Sequence, residues 1–97
     1  MNIQKLMRQA RDMQERMQRE LAELTVEAAA GGGMVTVKMT GHKQLVGVTI
    51  DPEIVAANDP AMLADLVLAA VNEAARKVDE EMQSRLGSLS GGMPGFG

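Results

Sequence analysis

Hydrophobic residues recur every three or four positions at the start of the chain: Ile3, Leu6, Ala10, Met13, Met17, Leu21 and Leu24. At about 100° per residue they fall on one stripe, the signature of an amphipathic helix over the first 24 residues. After Leu24 the period drops to two. Leu24, Val26 and Ala28 share one face of a first strand, and Gly31, Gly32 and Gly33 supply a turn where positive φ is cheap. From Met34 to Thr40, Val35, Val37 and Met39 alternate with Thr36, Lys38 and Thr40. A second turn spans Gly41, His42, Lys43 and Gln44, and a third strand over Leu45–Ile50 is expected to point Val46, Val48 and Ile50 inward. Three short strands with tight turns predict an antiparallel meander with one apolar face.

Asp51 and Pro52 end the sheet, because proline cannot donate to a strand ladder. A short turn of helix is expected over Glu53–Ala57. Asn58 or Asp59 then caps a long helix with Pro60 at its first position, running to about Leu86 and stopped by Gly87. Its apolar set, Leu63, Leu66, Val67, Ala70, Val71, Ala74, Val78 and Met82, covers a wider arc than one sheet contact requires. Alanines 69, 70, 74 and 75 allow another backbone to approach, so the helix is expected to cover the sheet and also face a twin protomer. Residues 87–97 hold five glycines and a proline and read as a flexible tail. The expected organisation is one α+β domain over residues 1–86, ordered α-β-β-β-α, followed by that tail.

Composition sharpens the case for association. Ninety-seven residues with a single aromatic, Phe96, and no cysteine build a thin core from aliphatics and nine methionines. Without rings or disulfides, pairing of copies is the simplest route to stability. Met13, Met17 and Leu21 of the first helix and Ala70, Ala74 and Val78 of the long one are the expected homodimer contacts. Absent cysteines fit a reducing cytoplasm, and no apolar run reaches the length of a membrane span. A soluble, cytoplasmic protein is expected, with no membrane partner.

Charge then separates the two helices. The net charge is −3, yet residues 1–19 carry five basic side chains against two acidic ones, whereas residues 51–81 carry two basic and eight acidic. Lys5, Arg8, Arg16 and Arg19 lie nearly opposite the apolar stripe, with Arg11 on its flank. No acid precedes Asp12, although a helix start ordinarily favours acids. Lys5, Arg8 and Arg11, with the free N–H groups of the helix start, therefore make a candidate phosphate site. For Arg16 and Arg19 the alternative is ordinary i,i+4 pairing with Asp12 and Glu15 on a solvated face. Arg76, Lys77 and Arg85 on the long helix are second-tier candidates.

Other chemistry finds little support. The Gly31–Gly33 triplet lacks the Lys-Ser/Thr and helix that a phosphate loop requires. His42 is the single histidine, set in a turn, so neither a metal site nor a Ser-His-acid triad assembles around it. No enzyme, metal or cofactor is expected. The acidic run Asp79, Glu80, Glu81 reads as the wet face of the long helix.

The segments together resemble the YbaB/EbfC family of bacterial nucleoid-associated proteins over nearly the whole chain. The resemblance rests on Met7-Arg8-Gln9-Ala10, Met13-Gln14 and Met17-Gln18, then Gly32-Gly33 before Val35 and Val37, and Gly41. It continues through Val48, Ile50-Asp51-Pro52, Asp65-Leu66-Val67, Ala69-Ala70, Asn72 and Ala74 to Gly91-Gly92-Met93-Pro94-Gly95-Phe96. It implies a homodimer with projecting helices, binding double-stranded DNA in the nucleoid with little sequence preference and without catalysis. It also implies a link to DNA repair or recombination proteins. By the same resemblance, DNA contact falls on the first helix at Lys5, Arg8 and Arg11. The rival reading is a protein–protein adaptor whose helical seam or tail docks another component. Burial or neutralisation of those three cations by a partner protomer is the feature that would favour it.

Overall fold

The structure, a computed structural model, describes residues 2–90. The elements are α1 (Ile3–Glu23), β1 (Thr25–Ala30), β2 (Val35–Thr40), β3 (Leu45–Ile50), α2 (Pro52–Ala56) and α3 (Pro60–Ser90). The expected α-β-β-β-α order is present, with α2 as the short helical turn before α3. The sheet is antiparallel in the order β1-β2-β3, with Ala28 opposite Val37 and Val37 opposite Val48. Gly31, Gly32 and Gly33 all take positive φ in the first turn. Asp51 receives the Glu53 amide at 2.8 Å to start α2, and Asp59 receives the Met62 amide at 3.1 Å to start α3.

The core lies between one face of the sheet and one stripe of α3. Ala28, Val35, Val37 and Met39 from the strands meet Ala70, Ala74 and Val78 from the helix. Those three helical residues repeat every fourth position, and they are fully buried inside the protomer. That corrects their assignment to a dimer contact. Alanine does bring a second backbone close to α3, but the backbone belongs to the protomer's own sheet. Residues with no exposed surface have none left for a second copy.

Two further expectations change. Val46, Val48 and Ile50 do not reach the core. Val48 and Ile50 pair with buried Val37 and Val35, yet Val48 remains 48% exposed, and a bulge between Lys38 and Met39 places Leu45, not Val46, opposite Met39. The reason is width: a helix about 10 Å across covers about two strands spaced about 4.8 Å apart. Here α3 packs on β1 and β2, leaving β3 as an uncovered edge.

Nor does α3 stop at Gly87, but continues to Ser90. A glycine ends a helix by turning left-handed; kept helical, it costs only about 1 kcal/mol relative to alanine. Residues 87–90 of the expected tail are therefore helical, and its residues 91–97 lie outside the described residues. Finally, α1 contributes no buried residue. It is an arm about 30 Å long, within a molecule of 67 × 30 × 15 Å.

Candidate nucleic-acid interface

Asn2 opens the arm. Its side-chain oxygen accepts the amides of Gln4 at 3.0 Å and Lys5 at 3.3 Å, so two of the N–H groups expected to be free for phosphate are already satisfied. Anion binding here consequently falls to side-chain charge. An Asn immediately before an apolar-periodic run is a capping signal, and reading it would have placed this contact from sequence. The first turn contains no acid. Gln4, Met7, Arg8 and Arg11 line a shallow depression on the arm's surface near this end.

Lys5, Arg8, Arg11, Arg16 and Arg19 are all exposed along α1. Among the described residues none of them forms an ion pair, and the i,i+4 pairs available to Arg16 with Asp12 and to Arg19 with Glu15 are not made. The other five cations behave in the opposite way. Lys38 lies 3.6 Å from Glu27, and Lys43 lies 2.8 Å from Asp79. Arg76 is held by both Glu73 and Glu80, with its Nε donating to Glu73 at 3.0 Å. These partners raise the Arg76 pKa and hold the Glu73 carboxyl below its ordinary range, chiefly through the hydrogen bond from Arg76. Lys77 donates from Nζ to the Glu27 carbonyl at 2.7 Å, tying α3 to β1. Arg85 reaches Glu20 at 3.8 Å and Glu81 at 4.0 Å.

The second-tier candidates Arg76, Lys77 and Arg85 are thus committed to contacts within the chain. The structure brings the five α1 cations together on one arm; of the other three, Arg85 approaches that arm at Glu20 near its root, and Arg76 and Lys77 are held by Glu73, Glu80 and the Glu27 carbonyl. His42 is exposed in the β2–β3 turn, and no cluster of three or more metal-binding side chains occurs among the described residues. None of the helices among the described residues is long and apolar enough to cross a membrane.

The apolar stripe of α1 is as open as its basic one. Ile3, Leu6, Met7, Met13 and Met17 are exposed, and Leu21 is half-buried where the arm joins the sheet. Leu45, Val46, Val48 and Ile50 form a second exposed apolar surface on β3.

The chain is similar to known proteins. The chain is 52% identical to a nucleoid-associated protein of Koribacter versatilis, covering 98% of this chain and 96% of that one. It is 53% identical to a nucleoid-associated protein of Acetivibrio thermocellus, covering 98% and 87%. The fold is shared with the crystal structure of an uncharacterized protein from Helicobacter pylori, at a TM-score of 0.66 and 21% identity over 84% of this chain and 94% of that one. The sequence profile of the YbaB/EbfC DNA-binding family matches residues 1–93, a family described by DNA binding and not by an enzymatic activity, and it is to this family that the chain belongs.

Proposed function

We propose that this protein is a nucleoid-associated DNA-binding protein that acts as a homodimer, gripping the phosphate backbone with the α1 cations and with little regard to sequence. One observation supports this most directly. The five cations of α1 are exposed and unpaired among the described residues, whereas the five elsewhere are each engaged within the chain. An acidic molecule with one unneutralised basic arm meets a polyanion with that arm. Lys5, Arg8 and Arg11 make the contact, and Arg16 and Arg19 add to the positive field around it. A row of exposed cations along one helix suits a phosphate backbone, so phosphate contact supplies the affinity on this reading. The relatives' names, nucleoid-associated protein, support a place for this protein in the nucleoid.

Dimerisation is supported by what the protomer leaves open. Met13, Met17 and Leu21 on α1 and the exposed apolar side of β3 offer surface that the chain itself does not cover. Because β3 contains no charged residue, a second copy meets no like-charge repulsion along it. Two arms double the basic footprint.

The same open seam suits an adaptor for a repair or recombination protein, and this is the second reading. Fluorescence anisotropy on unrelated duplexes separates them. Arg8→Glu with Arg11→Glu is expected to weaken binding to every sequence alike. A loss confined to one sequence contradicts phosphate binding, and no binding by the unmodified protein at about 50 mM salt favours the adaptor.

A further inference from the structure

The arm has to be held in a direction, and little of the molecule is available to hold it. From Ile3 to Glu20 every residue of α1 is exposed, yet its root is built closely. Gly41, buried in the β2–β3 turn, donates its amide to the carbonyls of Leu21 at 3.0 Å and Leu24 at 3.1 Å. A helix leaves its final carbonyls without internal partners, so a neighbouring turn completes this one. The approach is too close for any side chain. A Cβ at position 41 would sit 2.5 Å from the Leu21 carbonyl oxygen and 3.0 Å from its Cα, and both are backbone atoms that cannot rotate away.

The turn itself is braced on three sides. Thr40, 8% exposed, accepts the amides of His42 at 3.2 Å and Gln44 at 3.3 Å on its hydroxyl. Its own amide donates to the Gln44 carbonyl at 2.9 Å, and its carbonyl accepts from Lys43 at 2.8 Å. Lys43 takes a left-handed backbone conformation, φ 62°, and its side chain reaches Asp79 on α3. A second strut runs from Arg85 of α3 to Glu20 of α1.

We propose that this turn is a socket that sets the direction of α1, and that Gly41 is a positioning residue for DNA binding. The inference rests on the reading of α1 as the DNA arm. Relieving the overlap at position 41 requires the helix root to move by about 1 Å to reach ordinary contact distance. On an arm about 30 Å long, a tilt of about 5° carries the tip by about 2.5 Å. That is enough to lift a guanidinium out of hydrogen-bond range of a phosphate fixed by the partner arm.

The test uses the absence of native cysteine. Spin labels at Gln4→Cys on the arm and Gln83→Cys on α3, with labelled chains diluted in unlabelled protein, read the arm's direction by double electron–electron resonance. The unmodified socket is expected to give one narrow distance distribution; a broad one overturns the proposal. Gly41→Ala is expected to shift or broaden it and to lower duplex affinity about tenfold, as when about a tenth of arms remain competent. A lower melting temperature with unchanged distances and affinity, the result of a merely structural role, overturns it. So does a displaced arm that binds DNA as before. If Gly41→Ala does not fold, Thr40→Val loosens the turn at constant volume and is judged by the same two readouts. Arg8→Glu with Arg11→Glu in the labelled background separates the two readings. That pair tests the phosphate contact without moving the arm, whereas Gly41→Ala moves the arm with every cation in place.

Discussion

Removing Arg8 and Arg11 should change how DNA affinity depends on salt, by an amount that follows from counting the three cations at the leading end of each arm. Each arm offers Lys5, Arg8 and Arg11 at its leading end, unpaired among the described residues. In the proposed homodimer the leading ends of two arms give six phosphate contacts, and the slope of log K against log salt is then about −5. Between about 50 and 200 mM salt, affinity falls by about 10³. With Arg8→Ala and Arg11→Ala two contacts remain, the slope shrinks to about −2, and the same rise in salt costs about tenfold. Alanine is the right replacement, because it removes contacts without adding repulsion. The assay is fluorescence anisotropy on a random-sequence duplex titrated at four or more salt concentrations. Arg76→Ala and Arg85→Ala serve as controls, because those side chains are engaged by Glu73, Glu80, Glu20 and Glu81 and should leave the slope unaltered. A slope unchanged in the Arg8/Arg11 variant, or reduced by the controls, would refute the assignment of DNA contact to α1.

Three other outcomes test the body that carries the arms. Ala74→Leu, at a fully buried site facing the sheet, should cost about 1–3 kcal/mol in urea unfolding through overpacking; an unchanged midpoint would return Ala74 to the surface of α3. Gly31→Ala and Gly32→Ala both place a side chain at φ near 65°, which costs about 1–2 kcal/mol. Only at Gly31 does the new Cβ meet Leu66, at 2.8 Å, so Gly31→Ala should be the more destabilising, and equal costs would show that Leu66 yields freely. The hydrogen bond from Arg76 lowers the Glu73 pKa below 4.5, so its stabilising contribution is present above the ordinary carboxyl range and lost as pH falls through the lowered value. Glu73→Gln should therefore show a shallower loss of stability on acidification than the unmodified protein, and parallel urea midpoints at neutral and acid pH would contradict the pairing.

The elements were legible because their periods are clean. Ile3 to Leu24 keeps helical spacing, and Val35, Val37 and Met39 keep the alternation of a half-buried strand. What periodicity does not carry is coverage. The pattern in Val48 and Ile50 marks an apolar face but not whether the chain owns enough helix to lie over it, and α3 is wide enough for only β1 and β2. The same limit explains α1, whose stripe is apolar without being core. Ala70, Ala74 and Val78 show the converse: small residues announced a close backbone, and only the fold could say whose. The candidate site was half legible. Clustering of basic residues on the first helix is written in the sequence. The commitment of Arg76, Lys77 and Arg85 to internal partners depends on which strands and helices lie beside α3. Gly41 looked like a turn glycine, but its requirement comes from the root of α1, which lies about twenty positions earlier in the chain.

An arm whose polar stripe supports no core can be rewritten without disturbing the body beneath it. Substitutions at Lys5, Arg8, Arg11, Arg16 or Arg19 meet no packing constraint within the protomer, and surface changes of that kind usually alter stability by less than about 0.5 kcal/mol. On the proposed reading of α1, ligand choice and foldability are separable in this chain. A library randomised along that stripe would explore new binding preferences on an unaltered scaffold.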